Sequence, residues 1–460
     1  MNDSSKPRAI SVVKFVIMSV IGVFLFMVPL PHGDSFNIPL GIALSWVGGH
    51  INSVEVNGFG LMVLIAVIII TLSFLATVLA YVLKPAFIMN SEKMKRLFLS
   101  SPIYFVSKAV AVVFAWMVFL GVGPDEIIGS WAAADTMMSL IASNSGLIAI
   151  FLVVGLAIPI LTDFGLMEFL GILIRKFVRI LFTLPGRSSI DLFGSWFSSS
   201  AAGVIITRDQ HEKGYYTNRE AAAICVNFTL VSLPFTFVVA QTINLEAHFA
   251  LFYLVICITA IFLAIIMPRI WPLNRIKDEY VPEVGKQIDE DVPANTSMPK
   301  WAVTLAGNRA SQTGPTDVVK SGVSNWLNIF MDLIPVILAW GGVALLVEQN
   351  TPVFTWLSWP FAQFLRLLHV EGAAYYAPAT IVGFIDMFIP AFLLETAPIN
   401  TRFILGALSI VQVIYLAETG ILILKSKIPL NIGHLAIIFL MRTVFALPVI
   451  VLLTRFLFNP

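Results

Sequence analysis

Charge is what this sequence has least of. Of its 460 residues only 12% are Asp, Glu, Lys or Arg, whereas 58% are hydrophobic. The mean hydropathy is +0.90. A soluble globular chain is roughly half apolar and about a quarter charged. Half the usual charge therefore places this chain in a bilayer. Cysteine is nearly absent too. Cys225 and Cys257 both fall inside apolar stretches, which excludes a disulfide framework. The six histidines are scattered, with no His-x-x-x-His, and no Cys-x-x-Cys occurs, so no metal-ligand spacing is present and no cofactor is expected. No Gly-x-x-x-x-Gly-Lys-Ser/Thr loop appears, so nothing suggests drive by ATP or GTP. The net charge is +1, without a basic run interleaved with aromatics, which drops nucleic acid as a partner. Neither a paired His/Glu metal motif nor a Ser-nucleophile motif supports an enzyme.

What the sequence does contain is a series of long apolar runs. Counting about 20 apolar residues per span, nine transmembrane helices are predicted. They cover 10–31, 60–83, 102–122, a fourth from 146 interrupted at 158–165, 216–240, 248–270, 324–347, 400–424 and 432–457. The first run follows Lys6, Arg8 and Lys14 and has no small-x-small cleavage site, so it reads as a retained helix.

Two further segments are apolar but too short and too broken to cross. Residues 189–208 carry Ser195, Ser198, Ser199 and Ser200, with Arg187 and Asp191 before them and Arg208 and Asp209 after. Residues 374–396 carry Pro378, Gly383, Asp386, Pro390, Glu395 and Thr396. The charged flanks of the first predict a re-entrant hairpin, and the second matches it in order. Irregular backbone is tolerated at membrane depth only where protein buries it or where it lines a watery cavity. Each segment precedes a helix opened by a polar triplet, Thr217-Asn218-Arg219 or Asn400-Thr401-Arg402, and Thr and Asn are good N-caps.

The expected fold is an all-α polytopic membrane protein, nine helices plus two re-entrant hairpins in an inverted repeat. Residues 1–145 would be N-terminal scaffold helices. Residues 146–270 would be the first repeat, 271–323 a partly disordered cytoplasmic polar linker, and 324–460 the second repeat. Lys and Arg mark cytoplasmic loops. The loops 32–59, 123–145 and 241–247 lack both, which predicts a cytoplasmic N-terminus. Arg402 and Arg455 then fall on the outer side, against the trend.

Three pieces of sequence carry a resemblance. They are Gly186-Arg187-Ser188, the Ser-rich tip Ser198-Ser199-Ser200, and Tyr216-Thr217-Asn218-Arg219-Glu220 opening a small-residue helix. Here the chain resembles the nucleoside-recognition Gate domain, and as a whole a YjiH-type Gate-domain membrane protein. Concentrative nucleoside transporters have a similar hairpin, as does the membrane part of ferrous-iron transporters. The resemblance implies a two-hairpin inverted-repeat core, often oligomeric, with substrate held between hairpin tips and broken helices. The nucleoside transporters carry a Gln and a Glu at the first tip, and this tip carries neither.

Candidate site residues follow from what polar groups cost in a membrane. Asp386 lies mid-segment, where a carboxylate needs a partner or a pathway role; the bland reading is a structural ion pair with Arg442. Glu418 ranks next, and the bland reading of Glu395 is the hairpin's return to water. Ser195, Ser198, Ser199 and Ser200 fit either solute binding or close helix packing. Asn227, Thr229 and Ser232 fit either a cavity lining or interhelical hydrogen bonds. Asp163 and Glu168 flank the break in the fourth helix, where a carboxylate could bind a cation. Asp163, Asp386 and Glu418 are the ion-coupling candidates. Arg187 and Arg219 read as interfacial anchors, and Trp46, Trp131, Trp356 and Trp359 as belt residues. The expected function is a secondary transporter of a small polar solute, a nucleoside or an amino acid or peptide, coupled to Na+ or H+. It would sit in a bacterial-type inner membrane as a homo-oligomer or with a companion subunit. A metal permease and a non-transporting subunit are the alternatives.

Overall fold

The computed structural model describes residues 9–28, 30–32, 35–37, 39–56, 59–99, 102–120, 153, 157, 159–160, 163–185, 188–189, 192, 200–282, 284–285, 296–328, 331 and 334–458. These residues are overwhelmingly helical. In hydrocarbon a lone segment can satisfy its backbone groups only within itself, and a helix does so. Two short antiparallel pairings flank the helix of the first loop: Leu30–His32 with Ser35–Asn37, and Glu55–Val56 with Phe59–Gly60.

The N-terminal part holds α1 (Ala9–Met27), α2 (Pro39–Asn52), α3 (Leu61–Val82) and α4 (Pro102–Leu120). A middle group follows: α5 (Leu166–Phe182), α6 (Ser200–Glu212), α7 (Asn218–Asn227), α8 (Leu233–Thr242) and α9 (Phe249–Ile266). Next come α10 (Met298–Gln312), α11 (Pro315–Asn328), α12 (Ile334–Asn350) and α13 (Val353–Leu367). The last long helices are α14 (Ile399–Val411) and α15 (Ile432–Leu457), with shorter turns at 373–376, 379–382, 389–394 and 416–424.

Among the described residues four helices are long and apolar enough to cross a membrane: Ala9–Phe26, Val63–Val82, Glu246–Arg275 and Ile432–Leu457. They coincide with predicted spans. Two other predicted spans are divided. The run 216–240 becomes α7 and α8, separated at 228–232, and the run 400–424 becomes α14 and the turns at 416–424, separated at 412–415. The fourth predicted span and the tip of the first hairpin lie largely outside the described residues.

The N-terminal helices dock through tryptophan. Trp116 Nε1 donates to Thr71 Oγ1 at 2.9 Å, joining α4 to α3. Trp340 Nε1 donates to Ser107 Oγ at 2.9 Å, joining α12 to α4. Lys108 is fully buried on α4 and donates to the Leu97 carbonyl at 2.8 Å, at the end of the short helix Glu92–Phe98.

The segment 271–323 differs from the linker that its prolines and charges predict, since α10 and α11 occupy much of it. The reason is a stripe of small residues. Ala302, Ala306 and Ala310 recur every fourth residue on one buried face of α10, which packs on α5 and α1. Small residues let helix backbones approach closely. The opposing position is Gly165, at φ +97°, where a Cβ would lie 2.5 Å from the Ala306 carbonyl oxygen. Arg309 and Glu168 pair across the same contact at 3.8 Å. Glu168 is mostly buried, and that burial raises its carboxyl above the usual range despite Arg309.

Gly165→Ala should therefore destabilise the chain by about 1–3 kcal/mol, the usual cost of a forced left-handed residue. It also meets backbone rather than a movable side chain. Gly285, at φ +68° with nothing near its would-be Cβ, is the control. Melting in detergent should drop clearly more for Gly165→Ala than for Gly285→Ala.

Candidate functional site where two broken helices meet

α7 starts firmly. Thr217 accepts from the Glu220 N–H at 3.2 Å, and Glu220 accepts from the Thr217 N–H at 2.9 Å, a reciprocal capping box. The helix then runs through Ala221-Ala222-Ala223-Ile224-Cys225-Val226, all buried, and stops at Asn227. Asn227 Nδ2 donates to Ala223 O at 2.9 Å and Thr229 Oγ1 donates to Cys225 O at 2.7 Å. Thr229 thereby satisfies a carbonyl that the broken helix leaves open, and Asn227 adds a second bond to the last turn. The chain restarts at α8, where Ser232 accepts from the Phe235 N–H at 3.4 Å and Pro234 sits in the first turn.

α14 also breaks, by other means. Val413 adopts φ +66°, and Leu416–Gly420 winds as a π-turn. The Tyr415 hydroxyl lies 2.8 Å from Ile410 O and 3.0 Å from Ser409 O, and accepts from the Val413 N–H at 3.2 Å. Thr419 Oγ1 accepts from the Tyr415 N–H at 3.1 Å. The Leu416 N–H donates to Phe384 O at 2.9 Å, so the stretch before Asp386 runs beside this second break.

Arg442, on α15, is fully buried and joins the two breaks. One Nη donates to Val226 O at 3.0 Å and to Asn227 Oδ1 at 2.7 Å. Nε and the other Nη donate to Val411 O at 3.0 and 2.6 Å. A single guanidinium thus grips the C-terminal carbonyls of both half-helices. A helix C-terminus carries roughly half a negative charge, so two such ends offer about one unit for one cation.

Gln412, also fully buried, extends this centre. Its Nε2 donates to Thr380 O and to Thr443 Oγ1, each at 2.8 Å. Thr443 spends its own proton on Phe439 O at 3.0 Å, so it accepts from the amide, which fixes the amide's orientation. Gln412 Oε1 then points at Gly383, where a Cβ would lie 2.5 Å away, and this oxygen has no hydrogen-bond partner among the described residues.

Asp386 is 2% exposed, and its Oδ1 accepts from the Phe388 N–H at 2.8 Å. The ion pair with Arg442 weighed from the sequence is not what forms, because the guanidinium is committed to carbonyl oxygens. Asp386, Glu418 and Arg442 are instead common electrostatic neighbours of Tyr415. Ser200 is buried at the start of α6, which packs on α7 and on 416–424, so α6 rests on both broken helices. The turn 389–394 packs on α8 and α14. Asn227, Asp386 and Glu418 therefore gather at one crossing. Thr229 and Ser232 serve the first break itself. Glu395 is half-buried near the end of the second segment. Ser195, Ser198, Ser199 and Arg187 lie outside the described residues.

Other candidates sit elsewhere. The Asp163 carbonyl accepts from Thr313 Oγ1 at 2.8 Å, so Asp163 stands beside the end of α10. Arg219 donates to Ile276 O at 2.9 Å and Asn274 O at 3.1 Å, an anchoring role. The second polar triplet does not cap its helix. Pro398 holds the N-cap position of α14, while Thr401 Oγ1 donates to Glu371 O at 2.8 Å and Arg402 to Ile243 O at 3.0 Å. The triplet ties α14 to its neighbours, including the end of α8. Gln412, Tyr415, Thr380 and Thr443 were not singled out from sequence. Arg442 appeared there only as a partner for Asp386, although an intramembrane arginine is itself a pointer.

Comparison with known proteins agrees with the resemblance carried by the hairpin text. Residues 145–246 match the family model described as Gate, nucleoside recognition. With its apolar spans, the chain is thus an integral membrane protein with a Gate nucleoside-recognition domain. An uncharacterized protein of Alkalihalophilus pseudofirmus is 41% identical over 447 residues, 97% of this chain and 94% of that one. The chain belongs to the family of that protein. Solved structures of CNTnw are similar at much lower identity. The inward-facing substrate-bound state gives 10% identity and a TM-score of 0.42, covering 96% of this chain and 99% of that one. A doubly substituted outward-facing form gives 11% and 0.43, covering 97% and 100%.

Asn227→Ala removes a hydrogen bond to a charged group and should cost about 1.5–3 kcal/mol. Asn227→Asp keeps an acceptor for Arg442 and should cost less. Denaturation of the purified protein in detergent checks the order of the two.

Proposed function

We propose that this protein is a secondary active transporter that moves a small polar solute by alternating access, coupled to a sodium or proton gradient. The observation that carries the reading is the crossing itself. Two half-helices end beside one another against Arg442, which lies within a helix long and apolar enough to cross a membrane, and a buried carboxylate, Asp386, lies next to the second break. Discontinuous helices in paired repeats are how many transporters build a midplane site, and ionisable residues in spans mark pathways and relays. Asn227, Asp386, Gln412 and Glu418 would line the solute site, with the hairpin segments 189–208 and 374–396 closing it from either side. Ser195, Ser198, Ser199 and Ser200 would contribute hydroxyls at the first tip. The match to a nucleoside-recognition domain supports a nucleoside-like solute; an amino acid or small peptide is the second class to test.

Asp386 and Glu418 are the carboxylates placed to answer a gradient. Asp163, beside α10, would act on coupling only from a distance. A bacterial-type inner membrane, with the N-terminus inside, fits the distribution of Lys and Arg. A homo-oligomer or a companion subunit is part of the same reading.

The test is uptake into proteoliposomes, with nucleosides, nucleobases, amino acids and dipeptides offered under a sodium or a proton gradient. One class should accumulate. Asp386→Asn should cut that uptake at least tenfold, or about 1.4 kcal/mol in the rate-determining barrier, with little change in melting temperature. Asp386→Glu should retain part of it. Unchanged uptake in Asp386→Asn removes the residue from the mechanism, and no accumulation of any class under either gradient removes the transporter reading.

A further inference from the structure

We infer that Arg442 is the resident cation of the crossing: its guanidinium fills the place between the two half-helix C-termini that a free sodium ion would otherwise take. Three oxygens define that place, Val226 O, Val411 O and Asn227 Oδ1, all within 2.6–3.0 Å of guanidinium nitrogens. All three are neutral, hard, carbonyl-type donors, and they come from two different half-helices. Half-helix C-termini and unwound carbonyls are the groups with which transporters hold sodium. No carboxylate pairs with Arg442 among the described residues, so it is not an ordinary buried ion pair. Its charge answers the partial charges of the two helix ends.

The same device recurs in this chain. Lys108 meets the carbonyl of Leu97 at the end of a short helix at 2.8 Å. Arg402 meets Ile243 O, at the end of α8, at 3.0 Å. Arg455 meets Leu368 O, at the end of α13, at 2.6 Å. A tethered cation at a helix C-terminus thus recurs here, and Arg442 is a case in which one cation serves two ends.

A guanidinium does not deprotonate in proteins and cannot diffuse away. The crossing is thus neutralised at every sodium concentration. If the transporter reading holds, on which this step rests, the coupling ion is not sodium at this position. At the crossing that leaves the proton, with Asp386 and Glu418 as the groups to carry it.

The test uses the purified full chain in detergent and needs no solute. Melting is measured in sodium chloride and in choline chloride at equal ionic strength. Wild type should melt at the same temperature in both. Arg442→Lys should keep most of that temperature, and Arg442→Met, of similar length without the charge, should lose on the order of 5 °C or more. In Arg442→Ala, low-millimolar guanidinium should restore melting saturably where choline does not. A wild-type melting temperature that climbs saturably with sodium overturns the inference, and that titration decides even where the Arg442 variants fail to fold. Arg442→Met melting no lower than Arg442→Lys, or Arg442→Ala unmoved by guanidinium, overturns it too. Failure of uptake in proteoliposomes leaves these thermal outcomes standing, so the two readings fall separately.

Discussion

A helix that stops inside or beside a bilayer leaves up to four carbonyls without partners, and hydrocarbon offers no water to take them. This chain answers that constraint with its scarce cations. Lys108, Arg219, Arg402, Arg442 and Arg455 each donate to a carbonyl at or next to the end of a helix. With only 28 Lys and Arg in 460 residues, the positions of these groups matter more than their number. Each answers the partial charge of a helix end, and each ties that end to another element.

The crossing is where this constraint is met most fully. A continuous helix would need no cation at its middle. Breaking α7 from α8, and α14 from the turns after it, exposes backbone at depth, which is tolerable only if something else satisfies it. Near the first break the donors are local, Asn227 and Thr229 reaching back one turn. Around the second, Tyr415 donates to Ile410 O and Thr419 to Val413 O, while Gln412 binds Thr380 and Thr443 in other elements. Arg442 then locks the two breaks to one another. The result is a polar centre in an apolar protein, with one amide oxygen, Gln412 Oε1, still open among the described residues.

How much of this was legible in the sequence depends on the range of the interaction that decides it. The spans 10–31, 60–83, 248–270 and 432–457 follow from run length alone and are helices. The breaks at 228–232 and 412–415 do not show, because Phe228, Leu230, Val231, Val413 and Ile414 keep both runs apolar. Only Pro234 hints at the first break, and the second depends on bonds that side chains make after the chain has folded. The helix α10 was hidden by prolines and charges around an alanine stripe whose partner, Gly165, lies far away in sequence. At the site, Asn227, Asp386 and Glu418 stood out because polar groups are costly at depth. Gln412 and Thr443 carry the same cost less loudly, and nothing in sequence order brings them together. Arg442 could be seen as costly, but its natural partner from sequence was a carboxylate. Two helix ends are not written as residues.

The most direct test of the account is a double-mutant cycle between Asn227 and Arg442, using Asn227→Ala and Arg442→Lys and reading unfolding free energy in detergent. Residues in one hydrogen-bond network couple by about 0.5–3 kcal/mol, whereas independent sites add within about 0.5 kcal/mol. If one guanidinium clamps both broken helices, the two substitutions must be non-additive, the double variant losing clearly less than the sum. Strict additivity would mean that the two groups do not share a load, and the crossing would have no common centre.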